Sequence, residues 1–380
     1  MITLRRQNSP EPRTEPRTEP RLEPQPTRPR RDRYVDFLRA ASLLVVVGWH
    51  WVFSIVTWHP GPGTTNPIGT TPGLWAFTWV LQVMPVFFLV GGFAHLVTWE
   101  SVERSGGGYR QFLARRLKRL LTPAGICLGV VFGAWGLMTL GRIPVPHLNA
   151  AVMLLLSPLW FLAIYVGLVL LAPLAVRLQR AAGNWSLVAL AAAGILVDVL
   201  RFHGHVAHIE WLNMVLVWGF AHQLGFSWRR LVAAPRRLAW ALSLTGLAGL
   251  AALTMIGSYP RSMVGVPGEA FSNMGPPTAC ILALTLLQAG VVLLLRERVT
   301  AWLERPGPQR FTAWAGARSM TVYLWHFPAF AAAYGLAVLA GLSVPQRASL
   351  GWWLQRPLWV VLPALLTYPF LRAFRRFEHR

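Results

Sequence analysis

The chain has 380 residues, 54% of them hydrophobic and only 13% charged, with 36 Lys and Arg against 14 Asp and Glu for a formal net charge of +22. Soluble domains carry roughly 25% charged residues, and here the charge is confined to a tail and a few links, which excludes an ordinary soluble domain. The basic residues flank apolar stretches and build no domain of their own; this argues against nucleic acid as a partner and for the cation bias of cytoplasmic membrane-protein loops.

Residues 1–32 form a tail. Glu11-Pro12-Arg13-Thr14 recurs as Glu15-Pro16-Arg17-Thr18 and again as Glu19-Pro20-Arg21-Leu22. Proline at this frequency blocks both helix and ladder, and nothing apolar is present to bury, so the tail is expected to be a disordered, solvated spacer. Its polarity also leaves no room for the apolar core of a cleavable signal peptide.

Ten apolar stretches follow, at 34–56, 73–97, 118–140, 150–175, 185–200, 211–227, 238–257, 276–295, 319–340 and 353–373. Runs of about 18 or more apolar residues read as membrane spans. Positive charge alternates between the links. Arg104, Arg110, Arg115, Arg116, Lys118 and Arg119 follow the second stretch; Arg177 and Arg180 follow the fourth, and Arg229, Arg230, Arg236 and Arg237 the sixth. Arg296, Arg298, Arg305, Arg310 and Arg318 follow the eighth, and Arg372, Arg375, Arg376 and Arg380 the tenth. The remaining links carry single arginines such as Arg142 and Arg201. The expected fold is therefore an all-α integral membrane protein of ten transmembrane helices in the plasma membrane, with both termini cytoplasmic. The membrane domain covers 33–375, and 376–380 is a short cytoplasmic end. Trp58-His59-Pro60-Gly61-Pro62 and the pair Trp352 and Trp353 suit the opposite interface, where tryptophan anchors helices. Cys127 and Cys280 both sit inside apolar stretches and make no disulfide framework.

Polar residues inside spans are costly and become functional candidates. In the first span Asp36 and Arg39 are three apart, so they share a helix face and can pair. His50 lies eleven residues beyond Arg39, close to three turns and roughly 16 Å of rise, on the same side and in the outer half of the bilayer. A buried histidine can serve as a general base near neutral pH, or be a core residue bonded to a neighbouring helix. Entering the third span, Arg116 and Arg119 share a face beside Arg115; arginine forks bind phosphate oxygens in pairs, though positive-inside anchoring alone also places cations there. Gly91-Gly92-Phe93 in the second span allows close helix approach. In the ninth, Tyr323 and His326 could line the same cavity as His50, although a structural role for His326 is the stronger expectation. His203, His205 and His208 have ligand types that suit zinc, but their link is short and no second cluster supports them; no metal site is expected. Walker A, Gly-x-Ser-x-Gly and haem-type patterns are absent.

Taken in order, these motifs resemble the membrane-bound acyltransferase 3 family. That family carries Arg or Lys, ten residues, then His in its first helix, as in Arg39 and His50. It carries Phe-Phe-x-x-Ser-Gly-Phe in the second span, here Phe87-Phe88 with Gly92-Phe93 and with Gly91 in the serine position. It carries Arg-x-x-Arg entering the third, here Arg116 and Arg119, and a Tyr-x-x-His segment near the end, here Tyr323 and His326. The resemblance runs from about residue 33 to 375, with no appended soluble esterase-type domain expected. It implies an O-acyltransferase that moves an acyl group, often acetyl, from cytoplasmic acyl-CoA to a hydroxyl outside, on a carbohydrate, glycolipid or secondary metabolite of the bacterial cell envelope. It implies no bound cofactor, with acyl-CoA as donor substrate. Arg115, Arg116 and Arg119 would hold the donor's phosphates and His50 would take the hydroxyl proton, with Asp36 and Arg39 supporting it and Gly92, Phe93, Tyr323 and His326 lining the cavity. An acyl-histidine intermediate is an alternative route. A lipid or sugar transporter is the competing function; the repeated halves usual in transporters are not evident.

Overall fold

The computed structural model describes residues 32–57, 63–142 and 148–374. The proline-rich repeats, the link 58–62 and the C-terminal end from residue 375 lie outside the described residues, and with them the expectations placed on the tail and on 376–380. Helix α1 (Arg33–Phe53) leads into a small antiparallel hairpin of β1 (Ile55–Thr57) and β2 (Gly63–Thr65), with Ile55 opposite Thr65. Helices α2 (Trp75–Leu81) and α3 (Met84–Arg104) make one crossing, broken at Gln82 and Val83, with Pro85 in the first turn of α3. Next come α4 (Tyr109–Leu140), α5 (Leu148–Leu156), α6 (Leu159–Ala182), α7 (Trp185–Phe202), α8 (Asn213–Phe226) and α9 (Trp228–Ala233). The chain continues through α10 (Arg236–Met255), α11 (Ala279–Leu303), α12 (Pro306–Leu339), α13 (Leu350–Leu354) and α14 (Arg356–Phe374).

Among the described residues nine crossings are long and apolar enough to span a bilayer: α1, α2 with α3, α4, α6, α7, α10, α11, α12 and α14. The protein is an all-α, multi-pass membrane protein. The stretch expected at 211–227 forms the 14-residue α8 after a short 3-10 turn at Ile209–Leu212. Fourteen residues rise about 21 Å, less than a hydrocarbon core of about 30 Å. The reason is burial: Val217, Trp218 and Ala221 are 0% exposed, and α8 packs against α3, α6, α7 and α11. A helix enclosed by protein need not match the thickness of the lipid. Two other boundaries move for local reasons. Pro158 divides the stretch at 150–175 into α5 and α6, since proline disfavours helix in the residue before it. And α4 begins at Tyr109, so Arg115, Arg116, Lys118 and Arg119 all ride on a helix.

The basic links gather at one end of the bundle. Arg180 at the end of α6 pairs with Glu103 at 2.7 Å, and Arg229 of α9 pairs with Glu100 at 3.0 Å, both acids lying in the last turns of α3. The Tyr34 ring at the start of α1 stacks on Trp228, with centroids 6.1 Å apart. Exposed pairs of this kind contribute at most about 1 kcal/mol each; their value here is geometric. The opposite end is closed by segment 256–278, folded over α2. Its Met263 amide donates to Thr78 Oγ1 at 2.9 Å, and Trp79 Nε1 donates to the Arg261 carbonyl at 2.8 Å. Below it the buried Asp198 carboxylate accepts from the Ala279 amide (2.7 Å), the Tyr259 hydroxyl (3.0 Å) and Asn213 Nδ2 (3.0 Å). Burial and the adjoining Asp198 push the Tyr259 phenol above its usual range, so it stays a donor.

Helices α3 and α8 touch backbone to backbone. A Cβ on Gly92 would collide with the His222 carbonyl, and one on Gly225 would collide with the Leu89 carbonyl. Small residues at such crossings allow close packing where lipid supplies no hydrophobic drive between helices.

Candidate active site

Helix α1 presents Arg39 and His50 on one side, three turns apart, as the eleven-residue spacing requires. Near the basic end Arg39 Nη2 lies 3.6 Å from the Asp36 carboxylate, and it points at α12, 3.7 Å from where a Cβ on Gly316 would stand. Further along, His50 meets α12 again. Its Nδ1 is 3.1 Å from Nε2 of His326, and the two rings stack with centroids 5.1 Å apart.

The direction of these hydrogen bonds can be deduced. Nδ1 of His326 is 2.5 Å from the Tyr323 carbonyl oxygen. A carbonyl only accepts, so that nitrogen carries the proton. In a neutral His326 the other nitrogen, Nε2, is then an acceptor, and His50 must donate to it from Nδ1. This leaves the basic lone pair of His50 on Nε2. A backbone carbonyl and one histidine thus fix the tautomer of another, the role a carboxylate plays in hydrolase triads.

Proline chemistry holds the α12 side in place. Pro328 has no amide hydrogen, so the Leu324 carbonyl one turn earlier loses its helical donor. Cys127 Sγ of α4 donates to it at 3.6 Å. Trp51 Nε1 donates to the His326 carbonyl at 3.1 Å, and the Tyr323 hydroxyl to the Pro158 carbonyl at 2.6 Å. His326 itself is 0% exposed.

His50 opens onto a cavity of about 230 Å³ towards the end closed by segment 256–278. The aromatic walls are Trp49, Phe87, Trp160, Phe161 and Tyr323, and Asn66, Thr64, Thr65 and Gln82 supply polar groups; among the described residues, His50 and the Tyr323 phenol are the titratable groups of its lining.

Towards the basic end, the arginines of two helices converge. The Arg116 guanidinium donates to the Ala94 carbonyl and to Thr98 Oγ1 on α3. Arg116 feels the charges of Arg119 and Arg39, and the buried Tyr165 of α6 lies in the field of all three. Arg119 and Arg115 are exposed, while Arg116 turns inward. Arg39, Arg116 and Arg119 thus lie within electrostatic reach of one another, with Asp36 as the acid beside Arg39.

A family model described as an acyltransferase domain matches residues 32–372. The chain belongs to the acyltransferase 3 family. It is a membrane acyltransferase, an enzyme that acylates hydroxyl groups. No curated protein and no solved structure matches it.

The acyltransferase's expected site residues fall into two places. His50, His326 and Tyr323 meet at the cavity, with Tyr323 in its wall and His326 behind His50. Arg39, Arg116 and Arg119 meet at the basic end, with Asp36 on Arg39. Gly92 and Phe93 are in neither place. Gly92 is filled by the α8 backbone, and Phe93 packs on Trp228 (6.3 Å) with the Arg229 guanidinium 5.8 Å from its ring. The glycine that bears on the interior is Gly91: a Cβ there would stand 2.8 Å from Cε2 of Tyr165. The acyltransferase thus uses the space of the family's serine to seat an aromatic ring between its two polar centres. Sequence reasoning overlooked His95 and His222, single histidines in apolar stretches; the available signal was that a polar residue inside a span is expensive.

Proposed function

We propose that this acyltransferase moves an acyl group, acetyl in the expected case, from acyl-CoA at its basic end to a hydroxyl of an uncharged acceptor in the cavity beside His50. In this reading the bundle crosses the plasma membrane ten times, with α8 counted as a crossing, and both termini are cytoplasmic. The basic end then faces the cytoplasm, where acyl-CoA is made, and the cavity faces outward. The acceptor is a carbohydrate, glycolipid or secondary metabolite of the cell envelope. The observation that carries the reading is the ordered chain from the Tyr323 carbonyl through His326 to His50, which leaves a basic nitrogen facing a cavity three helical turns from Arg39.

The reaction follows from those positions. Arg116 and Arg119, with Arg115 at the surface, bind the donor's phosphates, which cannot enter lipid. The narrow arm of the donor runs inward past Tyr165 towards His50. Nε2 of His50 removes the proton of the acceptor hydroxyl as its oxygen attacks the thioester carbonyl. The carbon–sulfur bond breaks, the ester forms, and the thiolate leaves with the proton that His50 carried. An aromatic-walled, uncharged cavity suits a sugar ring, which stacks its apolar face and bonds through hydroxyls; it offers no counter-charge for an anionic or cationic acceptor.

Mass spectrometry of envelope glycans, lipids and secreted metabolites tests this, comparing a deletion strain with strains restored by wild type or by His50→Ala. One compound should gain an acyl mass increment with wild type only. An increment that survives His50→Ala would overturn the assignment of the base. An unmodified compound that moves between cell and medium, and is restored by His50→Ala, would replace the enzyme reading with transport.

A further inference from the structure

A second histidine pair lies inside the bundle, on α3 and α8. Nδ1 of His95 is 2.8 Å from Nε2 of His222, and the two residues are 0% and 1% exposed. The Arg116 charge acts on both rings, and the Tyr165 ring centroid is 5.1 Å from that of His95. A pair of core histidines bonded to each other would need no further account if all their polar atoms were satisfied. They are not: Nε2 of His95 and Nε of Arg116 are buried and bond no protein atom. A buried polar group without a partner is costly, and the two residues that carry these atoms lie on facing turns of α3 and α4, where Arg116 bonds the Ala94 carbonyl next to His95.

Their depth is informative. His95 lies nine residues before Arg104, the basic end of α3, or roughly 14 Å along the helix. On α1, measured from Arg33, Arg39 lies roughly 9 Å in and His50 roughly 26 Å. His95 is therefore deeper than Arg39, level with the Arg116 guanidinium that bonds the Ala94 carbonyl, and short of the base. Tyr165 bridges the same interval, since its ring is also 5.6 Å from Phe87 in the cavity wall. A donor arm running from Arg116 along Tyr165 towards His50 would start beside His95.

We propose that His95 is a donor-binding residue whose free ring nitrogen hydrogen-bonds the amide-bearing arm of acyl-CoA, between phosphates held by the arginines and the thioester held at His50; His222 is the positioning residue that fixes its ring. This rests on the reading of Arg116 and Arg119 as the phosphate dock. The chemistry fits either tautomer. If His95 donates to His222 through Nδ1, its Nε2 accepts from an amide N–H. If His222 donates instead, Nε2 carries a proton for an amide carbonyl. The arm of CoA offers both groups, whereas a phosphate accepts only.

Binding to the purified protein in nanodiscs tests this without knowledge of the acceptor. The probes are CoA and its nucleotide half, adenosine 3′-phosphate 5′-diphosphate, which keeps the phosphates and lacks the arm. His95→Phe should weaken CoA about tenfold, the loss of one or two buried hydrogen bonds, and shift the nucleotide half less than about twofold. His95→Gln, which restores a polar group, should bind CoA within about threefold of wild type. His222→Phe should weaken CoA in the same direction without adding to His95→Phe in the double variant. Arg116→Ala should weaken both probes. If His95→Phe weakens both probes equally, or leaves CoA unchanged while Arg116→Ala loses both, the assignment of His95 falls and the dock stands. If wild type binds neither probe, the dock itself falls and the proposal with it.

Discussion

Nδ1 of His50 and Nε2 of His326 lie 3.1 Å apart although 276 residues separate them in the chain. Because His326 is committed to the Tyr323 carbonyl on its other side, its replacement frees the tautomer and tilt of His50 without removing the base. Loss of a general base costs about 10²–10⁴ in rate. His50→Ala should therefore remove turnover to that extent. His326→Phe, which keeps the ring volume, should lower kcat by about 10–10², with KM for the donor little changed. Steady-state kinetics on both variants decides it: an unaltered kcat in His326→Phe would show that the pair is packing alone.

The arginines should separate by exposure. Arg116 bonds the Ala94 carbonyl and Thr98, so Arg116→Ala loses charge-assisted hydrogen bonds to the protein as well as to the donor, each about 1.5–3 kcal/mol. It should raise the donor KM at least about tenfold and also lower the melting temperature. The exposed Arg119 and Arg115 should give smaller KM effects that fade with added salt, since exposed charges are screened over about 10 Å at 0.1 M ionic strength. A donor KM independent of ionic strength in wild type and all three variants would remove the phosphate dock.

Gly92→Ala tests the α3–α8 crossing. The new methyl would strike the His222 carbonyl, and overpacking of this kind costs about 1–3 kcal/mol. Thermal melting of the detergent-solubilised protein should report a clear fall. Gly219→Ala, on the same α8 with nothing within 4 Å of the added Cβ, should be neutral or slightly stabilising because alanine favours helix. Equal melting temperatures for the two variants would contradict the close approach.

Asp198 ties three elements through its carboxylate. Asp198→Ala strands the Tyr259 hydroxyl and the first amide of α11 and leaves Asn213 Nδ2 with the Gly194 carbonyl alone, and it should destabilise by about 1–3 kcal/mol for each stranded donor. Asp198→Asn keeps the size and part of the acceptor capacity and should lose less. Proteolysis of segment 256–278 reads the effect directly: it should become cleavable in Asp198→Ala, and continued resistance would show that other contacts hold the segment.

Much of this arrangement was legible from residue spacing. Eleven residues place Arg39 and His50 on one face of any helix, and Arg116 and Arg119 share a face at i,i+3 wherever the helix begins. Nine of the ten apolar runs named crossings found among the described residues, because lipid tolerates little else. What spacing does not carry is which distant helices meet. Nothing near His95 announces His222, 127 residues away, since each sits alone in an apolar run and the pair exists only because Gly92 and Gly225 bring α3 and α8 together. The same close packing explains the shortness of α8, which protein rather than lipid surrounds. It also explains why Gly92 and Phe93, motif residues facing α8 and Trp228, are absent from the cavity wall.

The lining of the cavity has a bearing on the order of events. His50 leans on the neutral His326 ring, which is itself bonded to the Tyr323 carbonyl, and among the described residues no carboxylate lines its cavity. Once it has taken a proton it is a cation without a charged partner in a cavity walled largely by aromatic rings, a state that is costly unless a negative partner is at hand. The thiolate released by the donor is such a partner, and in direct transfer it forms in the same step that leaves the proton on His50. On the proposed reading, direct transfer in a ternary complex carries the proton from one substrate to the other within a single turnover and leaves no charge behind on His50.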